Sequence, residues 1–150
     1  MRDTVYSGTI AGTLGAPVKL AVNLLFYVAS VAKTTTLHLS AAALLPKGVA
    51  LNTPAASLTI GVAVCWLVSA LSGIIGVYIL RLTGRDFLWL KGIIYGGLIW
   101  VVGYGYLATL VVPERLLRPD LATSVAMLTA HLAFGLTVLF AAGSHKIEVL

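Results

Sequence analysis

Pro54-Ala-Ala-Ser-Leu-Thr-Ile-Gly-Val-Ala-Val-Cys-Trp-Leu-Val-Ser-Ala-Leu-Ser-Gly-Ile-Ile-Gly-Val-Tyr-Ile-Leu80 runs for twenty-seven residues without a charge. As an α-helix it would be about 40 Å long, and the hydrocarbon core of a bilayer is about 30 Å thick. Lipid cannot hydrogen-bond an open backbone, so a single stretch of this kind must be a helix. Working outward, the same reading applies three more times. An apolar run from Gly8 to Ala32 is interrupted only by Lys19 and Asn23. Another, from about residue 90 to Val112, is opened by Trp89 and Lys91 and closed by Pro113. The last, from Leu121 to Gly143, carries one ionisable residue, His131. The expectation is an all-α, single-domain, four-helix transmembrane bundle with spans at about 8–32, 54–80, 90–112 and 121–143.

Composition agrees. Of 150 residues 59% are hydrophobic and 10% charged, where a soluble chain carries about 25% charge. The net charge of +5 is scattered over span ends, which favours anionic lipid headgroups as the partner and argues against nucleic acid. A single cysteine excludes a disulfide framework and a cysteine metal cluster.

The connections carry turn chemistry. Gly84 suits a left-handed helix end, and Asp120 suits the cap of the last helix. Between the first two spans, Leu37–Leu45 is apolar but too short to cross; a short interfacial helix is expected there, with a re-entrant segment or an extension of the first helix as alternatives. The first span reads as an uncleaved anchor, because its apolar run is long, contains Lys19 and is followed by no small-x-small cleavage site. Arg81, Arg85 and Lys91 in one short loop favour that loop, and hence both termini, on the cytoplasmic side of the membrane.

Helices in lipid associate by close packing at small residues. Gly8 and Gly12; Gly61, Cys65, Ser69 and Gly73, extended by Gly76; Gly92 and Gly96, leading towards Gly103; and Ala126 and Ala130 form such faces. They predict tight packing and a homo-oligomer or a larger membrane assembly. Cys65 belongs to this face as a small residue, since no neighbouring charge would form a thiolate. Gly8-Thr-Ile-Ala-Gly-Thr-Leu14 and Gly92-Ile-Ile-Tyr-Gly-Gly-Leu98 share the pattern G-x-I-x-G-x-L, as a parallel two-plus-two repeat would.

Chemistry within the bilayer rests on few residues. All five acids lie outside the spans, which disfavours cation coupling. Missing acids and nucleophile–base pairs also disfavour an enzyme. Lys19 has three fates. It lies about 16 Å deep, bonded to Asn23, carbonyls or an anionic ligand; it snorkels from a helix that begins at Ala16-Pro17; or it is neutralised by desolvation. His131 is expected to make an interhelical hydrogen bond, with a relay or ligand role as the alternative. Haem and other cofactors are not expected, because His38 and His145 offer no intramembrane partner. Trp100 and Tyr104, one turn apart, complete a candidate polar site with Lys19, Asn23 and His131.

Gly8-Thr-Ile-Ala-Gly12 followed by Val18-Lys19, the run Leu88-Trp-Leu-Lys-Gly-Ile-Ile-Tyr-Gly-Gly-Leu-Ile-Trp100 with Pro113, and His131 in the last helix resemble the YagU-type bacterial inner-membrane proteins. The third-helix run is similar also to the small YqhR-type proteins. The chain lacks the proline- and arginine-rich segment that follows the first helix in YagU-type proteins. The resemblance implies a multi-pass inner-membrane protein, supplies no reaction, and adds weight to Lys19 and His131. Two functions follow as expectations: a structural or accessory membrane component acting through helix packing, or a small transporter, channel or binding protein with a polar or anionic solute near Lys19, Asn23 and His131.

Overall fold

The computed structural model describes residues 4–46, 54–111 and 120–144. Its elements are α1 (Thr4–Val28), α2 (Thr36–Ala42), α3 (Pro54–Thr83), α4 (Leu88–Trp100), a π-helical segment (Val101–Leu107), α5 (Ala108–Val111) and α6 (Leu121–Ser144). Thr4–Val28, Leu58–Thr83, Leu88–Leu107 and Leu121–Ser144 are each long and apolar enough to cross a membrane. The expected all-helical architecture is present, with a short helix between the first two spans.

Helix ends follow local chemistry. Gly84 takes φ +76 after α3, and the Lys91 ammonium donates to the Thr83 and Gly84 carbonyls. The first span differs from expectation at both ends, starting at Thr4 and stopping at Val28. It stops early because Ser30 adopts φ 58 while Ser30 N–H donates to Tyr27 O and Val31 N–H to Phe26 O, a Schellman closure. Pro17 lies inside α1 with its ring outward, so the alternative start at Ala16-Pro17 is overturned. The turns ahead of Pro17 are held by packing: a Cβ on Gly8 would strike the Ile74 backbone, and one on Gly12 the Ser69 carbonyl.

Two crossings of this kind organise the bundle. Gly8 and Gly12 of α1 meet Ser69 and Gly73 of α3; Gly92 and Gly96 of α4 meet the α6 backbone from His131 to Leu136. α1 and α6 then join the two pairs, Gly15 lying against Phe134 and Val138. The lateral order is therefore α3, α1, α6, α4. α3 and α4 approach each other mainly at Tyr95, whose hydroxyl donates to Ser72 O and whose ring lies 3.4 Å from where a Gly76 Cβ would sit. Elsewhere a gap separates them. One apolar core (Ala11, Val77, Leu80, Tyr95, Phe134, Val138, Leu139, Ala142) fills the end nearer Gly84. A second (Leu39, Ala41, Ala42, Met127) lies under α2.

α2 sits deeper than a helix lying flat on the bundle's end. Thr35 and His38 form a capping box that starts it. Thr36 N–H and Oγ1 donate to Asn23 Oδ1 at 2.7 and 3.0 Å. Asn23 is five residues, roughly 7–8 Å, short of the end of α1. Gly61 lets α3 approach closely, since a Cβ there would lie 2.5 Å from Leu37 O. The connection back to α6 is clipped as well. Lys33 N–H donates to Thr123 Oγ1 (2.9 Å), its ammonium pairs with Asp120 (2.9 Å), and Asp120 caps α6 through Thr123 N–H (3.1 Å).

Candidate functional site: a cavity between the helices

A cavity of about 200 Å³ lies in the gap between α3 and the π-helical segment, beneath α2. Its depth comes from residues that are small or absent: Cys65 on α3, Ser40 and Ala43 on α2, and Gly103, around whose missing Cβ nothing lies within 4 Å. The π-helix itself was not expected from the sequence. Its signal is Val101-Val102-Gly103-Tyr104-Gly105, where two glycines and two β-branched residues weaken the ordinary i→i−4 ladder. Such segments commonly mark functional positions.

Lys19 forms the floor. It is 4% exposed, at the sixteenth position of a twenty-five-residue helix, which removes the snorkelling alternative. Its ammonium donates to Ser69 Oγ at 3.1 Å and sits 5.0 Å from the centre of the Phe134 ring. Of the partners weighed for a deep Lys19, Asn23 is not the one it uses: Asn23 Oδ1 accepts from Thr36 N–H and Oγ1. A hydroxyl and a ring face supply one full acceptor and one weak one to a group with three N–H donors. The carboxylates among the described residues, Asp86 and Asp120, lie at helix ends and do not line the cavity.

His131 lines the same cavity. The interhelical hydrogen bond expected of it is corrected: Nδ1 meets the Met127 carbonyl of its own helix at 2.7 Å. A carbonyl only accepts, so Nδ1 carries a proton and donates to it. Helix α4 has packed onto the His131 backbone through Gly96, leaving the side chain to the open side of α6. Tyr104 is the third lining residue of the expected set, and its buried hydroxyl has no hydrogen-bond partner.

Asn23 and Trp100 lie beside the cavity, outside its lining. Asn23 anchors α2, with Nδ2 buried and unpartnered. Trp100 stacks on Tyr104 (centroids 6.0 Å apart, planes 13° apart) and packs against the core under α2. Of the small residues, Gly8, Gly12, Ser69, Gly73, Gly92 and Gly96 form the two crossings. Gly61 receives α2, Gly76 receives Val138, Leu139 and Tyr95, Cys65 lines the cavity, and Ala126 and Ala130 are fully buried. Among the described residues no three His, Cys, Asp or Glu side chains converge as a metal site would require. Compared with known proteins, the chain matches no family model, no curated protein and no solved structure.

Proposed function

We propose that this chain is a multi-pass membrane protein that binds an anionic or polar solute inside the bilayer, with Lys19 as the charged contact. The observation that carries the reading is a lysine 4% exposed, lining a cavity to which no described carboxylate contributes. A buried ammonium without a counter-ion is expensive, and a bound anion relieves that cost. His131 and Tyr104 supply polar atoms to the same space. The structural or accessory role has less support, because Gly8, Gly12, Gly73, Gly92 and Gly96 are already occupied by crossings within one chain. As part of the same proposal the membrane is the bacterial inner membrane with both termini cytoplasmic, in keeping with the likeness to YagU-type proteins.

Cys65 provides the test, being the chain's single cysteine and a cavity residue. Alkylation by N-ethylmaleimide is timed with benzoate, inorganic phosphate or palmitate present, in phosphatidylcholine nanodiscs. At least one of these anions should slow labelling in the wild type and not in Lys19→Gln. If none of the three changes the rate, the proposal fails.

A further inference from the structure

We infer that the solute is a single-chain amphiphile with a carboxylate head, taken sideways from the lipid between α3 and the π-helical segment. This rests on the anion reading above and adds the source and shape of the ligand.

The route comes from which sides are closed. α2 lies across the aqueous side, tied to α1 through Asn23 and Thr36, while the loop before it is tied to α6 through Lys33, Thr123 and Asp120. The lateral side is open. Val68 and Leu107 line the cavity and are 50% and 52% exposed, so its lateral mouth is an apolar wall continuous with the bundle's exposed surface. A water-soluble anion would have to cross that wall; an acyl chain is at home on it.

The head group follows from charge and donors. One ammonium, with no second cation lining the cavity, matches a single negative charge. The Lys19 N–H groups and the unpartnered Tyr104 hydroxyl are two donor sites for the two oxygens of a carboxylate. The volume suits a small head and its first few carbons, with the tail leaving through the gap beside Gly103.

The experiment uses the full chain in phosphatidylcholine nanodiscs and three probes: palmitate, its uncharged analogue hexadecanol, and benzoate as a soluble carboxylate. Palmitate should slow Cys65 alkylation to a saturating minimum, and the other two should not. Lys19→Gln should weaken palmitate about 10- to 100-fold and Tyr104→Phe about tenfold, the usual range for hydrogen bonds to a charged group. Gly103→Leu fills open space, so it should fold and lose the palmitate adduct in native mass measurements; it carries the test where Lys19→Gln does not fold. Protection by hexadecanol equal to that by palmitate overturns the carboxylate head. Lys19-dependent protection by benzoate alone overturns the amphiphile and leaves the anion site standing. A wild-type palmitate adduct on Gly103→Leu overturns the cavity as its location. No protection by any of these probes, or by inorganic phosphate in the labelling test above, removes both readings together.

Discussion

Gly96 and Gly97 are neighbours in α4, at the same depth and with the same helix propensity, yet the structure separates them sharply. A Cβ on Gly96 would meet the His131 carbonyl oxygen and lie 2.8 Å from Leu132 Cα and 2.9 Å from the His131 carbonyl carbon. One on Gly97 would find a single side-chain atom, Leu132 Cδ2, at 3.9 Å. Replacing either by alanine gains about 1 kcal/mol of helix propensity, and that gain cancels in the comparison. What remains is strain. Ordinary carbon contacts are about 3.5–4.0 Å, so Gly96→Ala must push α4 away from α6 by about 1 Å, forfeiting a quarter to a half of each dispersion contact along the crossing. Overpacking of this kind costs about 1–3 kcal/mol, and Gly96→Ala should be less stable than Gly97→Ala by that amount. Equilibrium unfolding of the purified chain in mixed detergent micelles measures the difference, with native mass recorded on the same samples. Equal stabilities would refute the α4–α6 crossing. A change in oligomer size without a change in stability would mean that Gly96 acts between chains.

Three further outcomes follow from contacts elsewhere. The Asp120 carboxyl is drawn down from 3.8 to about 2 by the Thr123 side chain first, and then by Lys33 and the Thr123 N–H. Its contribution is therefore present above 3.8 and disappears as pH falls through about 2; thermal scans should show this fall in the wild type and a flatter profile in Asp120→Asn, and parallel profiles would remove the clip's role. Burial lowers the pKa of His38 from 6.5, so the fold favours the neutral ring that accepts from Thr35 N–H. The stability of α2 should be complete above 6.5 and decline below it as the undocked segment takes up a proton, seen as faster amide exchange after correction for intrinsic rates. His38→Gln can complete the same capping box without titrating, and should abolish the pH dependence. Tyr95→Phe removes the hydroxyl that ties α4 to α3 and should cost about 0.5–1.5 kcal/mol in the same unfolding assay, whereas an unchanged stability would show the gap does not depend on it.

The spans were legible because each is a long apolar run that lipid permits only as helix, and Gly84 and Asp120 because their conformational and capping preferences are local. The end of α1 was misplaced because Ser30 reaches a left-handed conformation without being glycine, which composition does not signal. Lys19 and His131 stood out as ionisable residues inside spans. Their partners did not, since Ser69 and the Met127 carbonyl are ordinary groups brought near by helix rotation. The small residues were recognisable as packing faces, but a stripe does not state whether it meets its own chain or another. The π-helical turn has only a weak local signature, two glycines among β-branched residues, although it carries Gly103 and Tyr104 into the cavity.

The repeated G-x-I-x-G-x-L pattern bears on why the cavity lies where it does. Gly8 and Gly12 pack on Ser69 and Gly73; Gly92 and Gly96 pack on the α6 backbone around His131 and Gly135. The two pairs are therefore alike in geometry, with Ser69 and His131 each four residues ahead of a crossing glycine. Eleven residues beyond the first glycine, one pair carries Lys19 and the other carries Gly103. In the first pair a long side chain reaches a small hydroxyl; in the second, a large ring and a position with no side chain line the same cavity. Exchanging large for small at matched positions leaves unfilled volume on the second pair's side and an ammonium facing it from the first. Two halves with identical side chains at these positions would have no such mismatch. On this argument Gly103→Met should fill the cavity from the second pair with an uncharged chain, so the variant should fold and hold no anion at Lys19. Continued Lys19-dependent protection of Cys65 in that variant would show that the cavity does not arise from the mismatch between the halves.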